Sequence, residues 1–219
     1  MAISHILFDL DNTLYPSSAG ILQLFDERIS NFVQRFLDTD EQTARQLQHD
    51  YYTTYGTTLR GLQAKYGEKV DVEEYLRYVH DLELSAILSV DAELDRRLKE
   101  IRSRKSIFTN SPIEHAQRVL KMLGIEQHFD HIFDIRFHAF DPKPSVATYH
   151  RVLGTLGLSG EETVFLEDSP QNLGPARSLG MTTILLSDTP AHTLNGIADY
   201  IVPDIFAALN VVQELEGAG

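Results

Sequence analysis

The sequence predicts an α/β fold: a doubly wound, mostly parallel, Rossmann-like sheet that carries an inserted α-helical domain. Three observations point there. Short apolar runs recur along the chain, and from Ser106 onward they alternate with helical patterns. Between Pro16 and about Val90, by contrast, helical periodicity holds throughout and no strand pattern is found. Alternating β and α units of this size favour a parallel sheet with right-handed crossovers and helices on both faces.

In chain order, Ile3–Leu10 reads as the first strand, apolar with turn chemistry just beyond it. The helical block follows, with Leu22, Phe25, Ile29, Phe32, Val33 and Phe36 spaced for one apolar face. Later strands are expected at Ser106–Thr109, His131–Asp134, Thr163–Leu166, Thr182–Leu186 and Tyr200–Val202. Helices are expected at Pro112–Leu123, Pro144–Gly157, Pro170–Gly180 and Pro203–Glu214, the middle pair each closing on Gly. The expected organisation is a core from residues 1–15 and about 91–219, with residues 16–90 as a helical cap over the carboxyl edge of the sheet. Only Glu216–Gly219 reads as a frayed tail.

Composition narrows the function. With 219 residues and 42% hydrophobic content the chain can bury a sizeable core. Nineteen Lys and Arg against 32 Asp and Glu give a formal net charge of −13, which argues against a groove for polymeric nucleic acid. No run approaches a membrane span and Met1–His5 lacks a secretory pattern, so a cytoplasmic protein without a membrane partner is expected. Zero Cys removes disulfides, thiol nucleophiles and thiolate metal sites, leaving oxygen or imidazole for any metal.

The chemistry sits at strand ends. Phe8-Asp9-Leu10-Asp11-Asn12-Thr13 places two carboxylates two residues apart where an apolar strand emerges. On extended chain that spacing turns both to one side, so that one attacks while the other exchanges protons, although Asp and Asn also punctuate loops. Thr109 and Asn110 stand at the tip of the next strand, before a helix whose free N–H groups suit an anion. Ser111-Pro112-Ile113-Glu114 has the form of a capping box, which gives Ser111 a purely structural reading. Asp141-Pro142-Lys143-Pro144 brackets a lysine between two prolines; it is either a fixed ammonium for a phosphate or a solvated surface group. Glu167 and Asp168 put one more carboxylate than a cap requires before Ser169-Pro170, and hard cations such as Mg2+ take such oxygen ligands. Ligands of open α/β sheets gather outside the carboxyl ends of the strands, and the assembled set suits phosphoryl transfer.

The ordered set of Asp9–Thr13, Thr109-Asn110, Lys143 and Glu167-Asp168 resembles the phosphatases of the haloacid dehalogenase (HAD) superfamily, over nearly the whole chain. The Asp9–Pro16 string, Tyr51–Leu62 and Tyr78-Val79-His80 are similar to the pyrimidine 5′-nucleotidase-like branch with an α-helical cap. The resemblance implies Asp9 as nucleophile, Asp11 as acid and base, and Thr109, the Asn110 N–H and Lys143 on the phosphoryl oxygens. It implies Mg2+ on the Asp9 carboxylate, the Asp11 carbonyl, Asp168 and Glu167, with Asn172 where relatives place a further acid. The implied substrate is a small phosphorylated metabolite, a pyrimidine nucleoside 5′-monophosphate. Another metabolite phosphatase acting on a sugar phosphate or phosphoglycolate, a phosphomutase, and a silent binder of phosphorylated ligands are the alternatives.

Within the helical block, Gly56, Thr57 and Thr58 are candidate substrate contacts on a loop, or simply cap a helix. Six of nine Tyr fall between Tyr51 and Tyr78, either as a stacking surface for a base or as packing of a small core. His128, His131 and His138 lack a zinc spacing, and the Arg96–Lys105 basic run is interleaved with acids as on a solvated helix face.

Overall fold

A computed structural model describes residues 3–189 and 196–217. The chain divides into two compact units, one over residues 1–19 and 84–219 and the other over 20–83. Residues 84–90, expected in the helical block, thus group with the sheet.

In the first unit six strands, β1 (His5–Phe8), β2 (Arg104–Phe108), β3 (His131–Phe133), β4 (Thr163–Glu167), β5 (Thr182–Leu186) and β6 (Tyr200–Val202), form one sheet in the order β3-β2-β1-β4-β5-β6. Every pairing is parallel. This is the doubly wound order, with its switch point beside β1, so the carboxyl ends of β2, β1 and β4 converge there. β1 and β4 are buried at every position, which is why they read as continuous apolar runs rather than alternating ones. Leu7, Phe108, Phe165, Leu173 and Leu185 lie at 0% exposure in the main apolar cluster.

Among the described residues four helices follow the strands: α6 (Ile113–Leu123) after β2, α7 (Val146–Leu156) after β3, α8 (Pro170–Ser178) after β4 and α9 (Ile205–Gly217) after β6. α5 (Ala92–Glu100) precedes β2 and buries Leu94 and Leu98. Of the basic run, Arg96 bonds Glu93 and Glu100 on its own helix as expected of a solvated face, but Lys105 corrects that expectation: it lies buried in β2, its ammonium donating to the Ile101 and Ser103 carbonyls. The expectation of a frayed tail from Glu216 fails. α9 continues through Gly217, and the Glu216 carboxylate accepts the Ser103 N–H at 2.7 Å and the Arg102 N–H at 3.2 Å; residues 218–219 lie outside the described residues.

The second unit holds α1 (Ile21–Leu37), α2 (Glu41–Tyr55), α3 (Thr58–Tyr66) and α4 (Val72–His80), with no strand among its described residues. Asp40, Thr57 and Asp71 each cap a helix by accepting an N–H three residues on. α1 buries Ile21, Phe25, Phe32 and Val33. Leu22, expected on that face, is 36% exposed because the buried stripe runs through Ile21. The tyrosines mostly pack: Tyr75 meets Phe32 edge-on with centroids 4.9 Å apart, and Tyr66 meets Phe36 at 5.5 Å. Tyr51 lies against Gly61, where a Cβ would come within 2.3 Å of the Tyr51 Cβ, so only glycine lets α2 and α3 approach this closely. Among the six only Tyr52 is exposed.

Candidate active site

The first unit brings the strand-end residues together at the switch point. Asp9 follows β1 directly, and its N–H still bonds the Leu166 carbonyl of β4 at 2.9 Å. Beyond Asp9 the chain turns: Leu14 N–H returns to the Leu10 carbonyl and Asn12 takes a φ of 60°. Asp11 therefore sits in a turn and not on extended chain, and the two carboxylates enter different surroundings.

Asp9 faces Lys143. The Lys143 ammonium donates to Asp9 Oδ1, Glu167 Oε2 and the Phe108 carbonyl, each at 2.7 Å, and its side chain is 1% exposed. The solvated-surface reading of Lys143 is overturned, since the ammonium is fixed and buried. Asn110 fixes the segment that presents it, since the Lys143 N–H donates to Asn110 Oδ1 at 2.8 Å and Asn110 Nδ2 donates to the Lys143 carbonyl at 3.1 Å. Thr109 is buried, and its Oγ1 accepts the Ser111 N–H at 3.0 Å.

Asp9, Glu167 and Asp168 each offer a carboxylate oxygen, all within 4.8 Å of one another. Two buried acids and a half-buried third with one lysine leave surplus negative charge. Burial pushes Asp9 up to about 7, the Glu167 charge adding to this and Lys143 opposing it. Glu167 is likewise pushed up to about 7, first by burial, with Lys143 opposing and Asp168 adding. Lys143 is raised despite its burial because Asp9 and Glu167 outweigh that cost. An all-oxygen donor set with surplus negative charge fits a hard divalent cation. Glu167 already spends one oxygen on Lys143 and the other on the Ser169 N–H at 3.0 Å, whereas the Asp168 carboxylate takes a 3.3 Å bond from Asn12 Nδ2 and shares a side-chain hydrogen bond with Glu167. Asp168, which does not hold the lysine, is the less committed donor. Asn172 is buried on α8, with its side-chain oxygen lacking a partner among the described residues.

Asp11 sits in a separate cluster. Tyr15 Oη donates to Asp11 Oδ1 at 2.6 Å, Ser111 Oγ donates to Oδ2 at 2.6 Å, and His115 Nε2 lies 2.7 Å from Oδ1. Burial opposes ionisation of Asp11, but the His115 interaction and the two hydroxyls outweigh it and hold the carboxyl well below the usual carboxylate range. The same contact, together with burial, pushes the Tyr15 phenol far up. The helix-capping reading of Ser111 is thus corrected. α6 starts at Ile113, whose N–H donates to Asp134 Oδ2 at 3.0 Å, which leaves the Ser111 hydroxyl for Asp11. His115 and Tyr15 were not legible as site residues; the available signal was a histidine on the buried face of the helix that opens at the Thr109-Asn110 strand end.

The candidates in the second unit have internal work. Gly56 closes α2 with a φ of 85°, Thr57 Oγ1 caps α3, and Thr58 Oγ1 donates to the Gln48 carbonyl at 3.3 Å. A substrate role for them rests on the sequence resemblance. The histidines form no common site: His128 pairs with Asp95 at 2.7 Å, His131 is exposed, and His138 is buried, its imidazole pushed down to about 4 chiefly by that burial.

The chain is 31% identical over 207 residues to phosphate metabolism protein 8 of Saccharomyces cerevisiae, covering 88% of this chain but 61% of that protein. It is 24% identical over 228 residues to the glyceraldehyde 3-phosphate phosphatase of Methanocaldococcus jannaschii, covering 98% of this chain and 99% of that protein. A HAD phosphatase from Thermococcus onnurineus shares the fold, with a TM-score of 0.64 at 20% identity over 96% of this chain and 98% of that one. The family model for haloacid dehalogenase-like hydrolases matches residues 3–180, from the strand bearing Asp9 through the helix that follows Asp168. With that match over most of its length, the chain belongs to the haloacid dehalogenase-like hydrolases.

Proposed function

We propose that this chain is a Mg2+-dependent phosphomonoesterase that works through an aspartyl-phosphate on Asp9 and acts on a pyrimidine nucleoside 5′-monophosphate. The observation that carries the chemistry is the separation of two neighbouring carboxylates: Asp9 against Lys143, Asp11 in the Tyr15–Ser111–His115 cluster. Asp9, Asp168 and the Asp11 carbonyl would hold Mg2+, with Glu167 beside them. The ion supplies positive charge that keeps the carboxylates ionised and offsets the phosphoryl oxygens.

In the first step an Asp9 carboxylate oxygen attacks phosphorus, the bond to the leaving oxygen breaks, and Asp11 gives its proton to that oxygen, releasing an alcohol. In the second, water attacks phosphorus, the aspartyl oxygen leaves as the Asp9 carboxylate, and Asp11 takes the water proton. Lys143 holds Asp9 in line and meets the phosphoryl charge. Asp11 rests as the carboxylate, the form needed as base; the phosphate charge of the arriving substrate opposes its ionisation, and a proton taken up from solvent on binding makes it the acid. The carboxylate at Asp11 favours ester hydrolysis over carbon–halogen cleavage, which in this superfamily does not use an acid at that place.

The nucleotide assignment rests on the sequence similarity of Asp9–Pro16 and Tyr51–Leu62 to the 5′-nucleotidase-like branch. A second reading, a small sugar phosphate as substrate, is favoured by the match to the glyceraldehyde 3-phosphate phosphatases over the whole chain. Phosphate release from pyrimidine and purine 5′-monophosphates, triose phosphates and phosphoglycolate, with Mg2+ or EDTA, separates them. Mg2+-dependent release favouring UMP or CMP supports the nucleotidase, preference for a triose phosphate supports the second reading, and no release from any ester overturns the phosphatase.

A further inference from the structure

The Asp11 carboxylate is held asymmetrically. An ionised carboxylate only accepts hydrogen bonds, and each oxygen offers two lone-pair positions. Oδ1 takes both Tyr15 Oη, at 2.6 Å, and His115 Nε2, at 2.7 Å, so both its positions are filled. Oδ2 takes Ser111 Oγ alone, at 2.6 Å, and keeps one position open. His115 is 0% exposed in the first turn of α6, and the His115 Nε2 that meets a carboxylate oxygen must carry the proton.

We propose that His115, with Tyr15, is a positioning residue that clamps Asp11 Oδ1 as a permanent acceptor and makes Asp11 Oδ2 the atom that delivers and collects the catalytic proton. The assignment rests on the phosphatase reading. It accounts for both protonation states of Asp11. When Asp11 is the acid, Oδ1 is the carbonyl oxygen and still accepts from Tyr15 and His115, while Oδ2 carries the proton. When Asp11 is the carboxylate, the Oδ1 contacts are unchanged and Oδ2 accepts from water. Ser111 serves either state, because a hydroxyl rotates between donor and acceptor. A buried imidazole fixed on a helix holds the carboxyl plane in both steps with little rotamer freedom of its own, which a flexible donor would not do.

The test compares two esters. p-Nitrophenyl phosphate releases a phenolate that leaves without a proton, whereas an alkyl ester, taken as the one the wild type hydrolyses best, needs one. His115→Leu removes one of the two Oδ1 donors and His115→Gln returns an N–H near the position of Nε2. Without the clamp, kcat/KM for the alkyl ester falls about 10- to 100-fold, the loss expected for one charge-assisted hydrogen bond, and the aryl ester falls by less than about 3-fold. His115→Gln recovers most of the alkyl-ester loss. Equal falls on both esters, no fall on either, or a Gln variant as impaired as Leu overturns the assignment. Should His115→Leu not fold, His115→Asn, whose amide stops short of Oδ1, replaces it. A wild type that hydrolyses neither ester fails the phosphatase reading itself, a result distinct from intact hydrolysis with no effect of His115.

Discussion

Replacing Lys143 by Met probes the electrostatics on which the site depends. The ammonium has three oxygen partners at 2.7 Å and almost no exposure, and two of those partners are carboxylates that are themselves 10% and 1% exposed. Methionine keeps the length and the contact with the Phe108 and Phe165 rings, which lie 5.0 and 5.2 Å from the ammonium, but removes the charge. Breaking a buried pair on one side costs about 3–5 kcal/mol. For a chain of this size that is roughly 2–4 °C in Tm per kcal/mol, so a fall of about 6–20 °C is expected at pH 8 in EDTA. The cost must shrink at lower pH. Asp9 and Glu167 sit at about 7 even with the ammonium present, and without it they take up protons more readily. Each proton bound by the variant and not by the wild type recovers up to about 1.4 kcal/mol per pH unit. Thermal unfolding of both proteins in EDTA at pH 8 and pH 6 measures the effect. A fall of under about 3 °C at pH 8, or the same fall at both pH values, refutes the reasoning.

Further outcomes follow from the same geometry. Asp11→Asn should lower turnover about 10²–10⁴-fold with the fold retained, as for loss of an acid/base group, and near-normal turnover would remove that role. Mg2+ should stabilise the protein more at pH 8 than at pH 6. The folded-state values of Asp9 and Glu167 are raised above their ordinary values, so the metal-free fold binds extra protons from about pH 4 up to about 7 and loses stability as pH rises through that window. A cation must displace those protons below about 7, and a Mg2+-induced Tm shift that is flat or larger at pH 6 would contradict this. Gly61→Ala places a methyl group 2.3 Å from the Tyr51 Cβ and should cost about 1–3 kcal/mol by thermal unfolding, whereas a neutral result would mean that α2 and α3 separate freely.

The strands and the acids at their ends were legible in the sequence because both have local signatures. Strands of a parallel sheet covered on both faces are near-continuous apolar runs, and Asp9 or Glu167 at such an end breaks the pattern visibly. The partners of those acids were less legible, since nothing local marks them. Ser111 has the local signature of a helix cap, yet its hydroxyl bonds Asp11, 100 residues earlier in the chain, and the capping role falls to Asp134 from β3's exit. His115 occupies a buried helix position where sequence periodicity shows one polar residue among apolar ones and no more. Lys143 could be placed in the site but not paired. Its contacts to Asp9 and Glu167 span 134 and 24 residues and depend on which strands flank β1. Thr57 and Gly56 show the converse: residues that read as candidate substrate contacts also carry ordinary helix-end chemistry, and both do that work in the fold.

The central claim is that Asp9 carries the phosphoryl group. Acid-quenched turnover of the wild-type protein with its best ester and Mg2+, digested by an acid protease and read by mass spectrometry, tests it directly. The account predicts one added phosphoryl group on the peptide containing Asp9, absent without ester and absent in Asp9→Asn. Phosphate release with no phosphoryl group on that peptide, or with one on another residue, would contradict it.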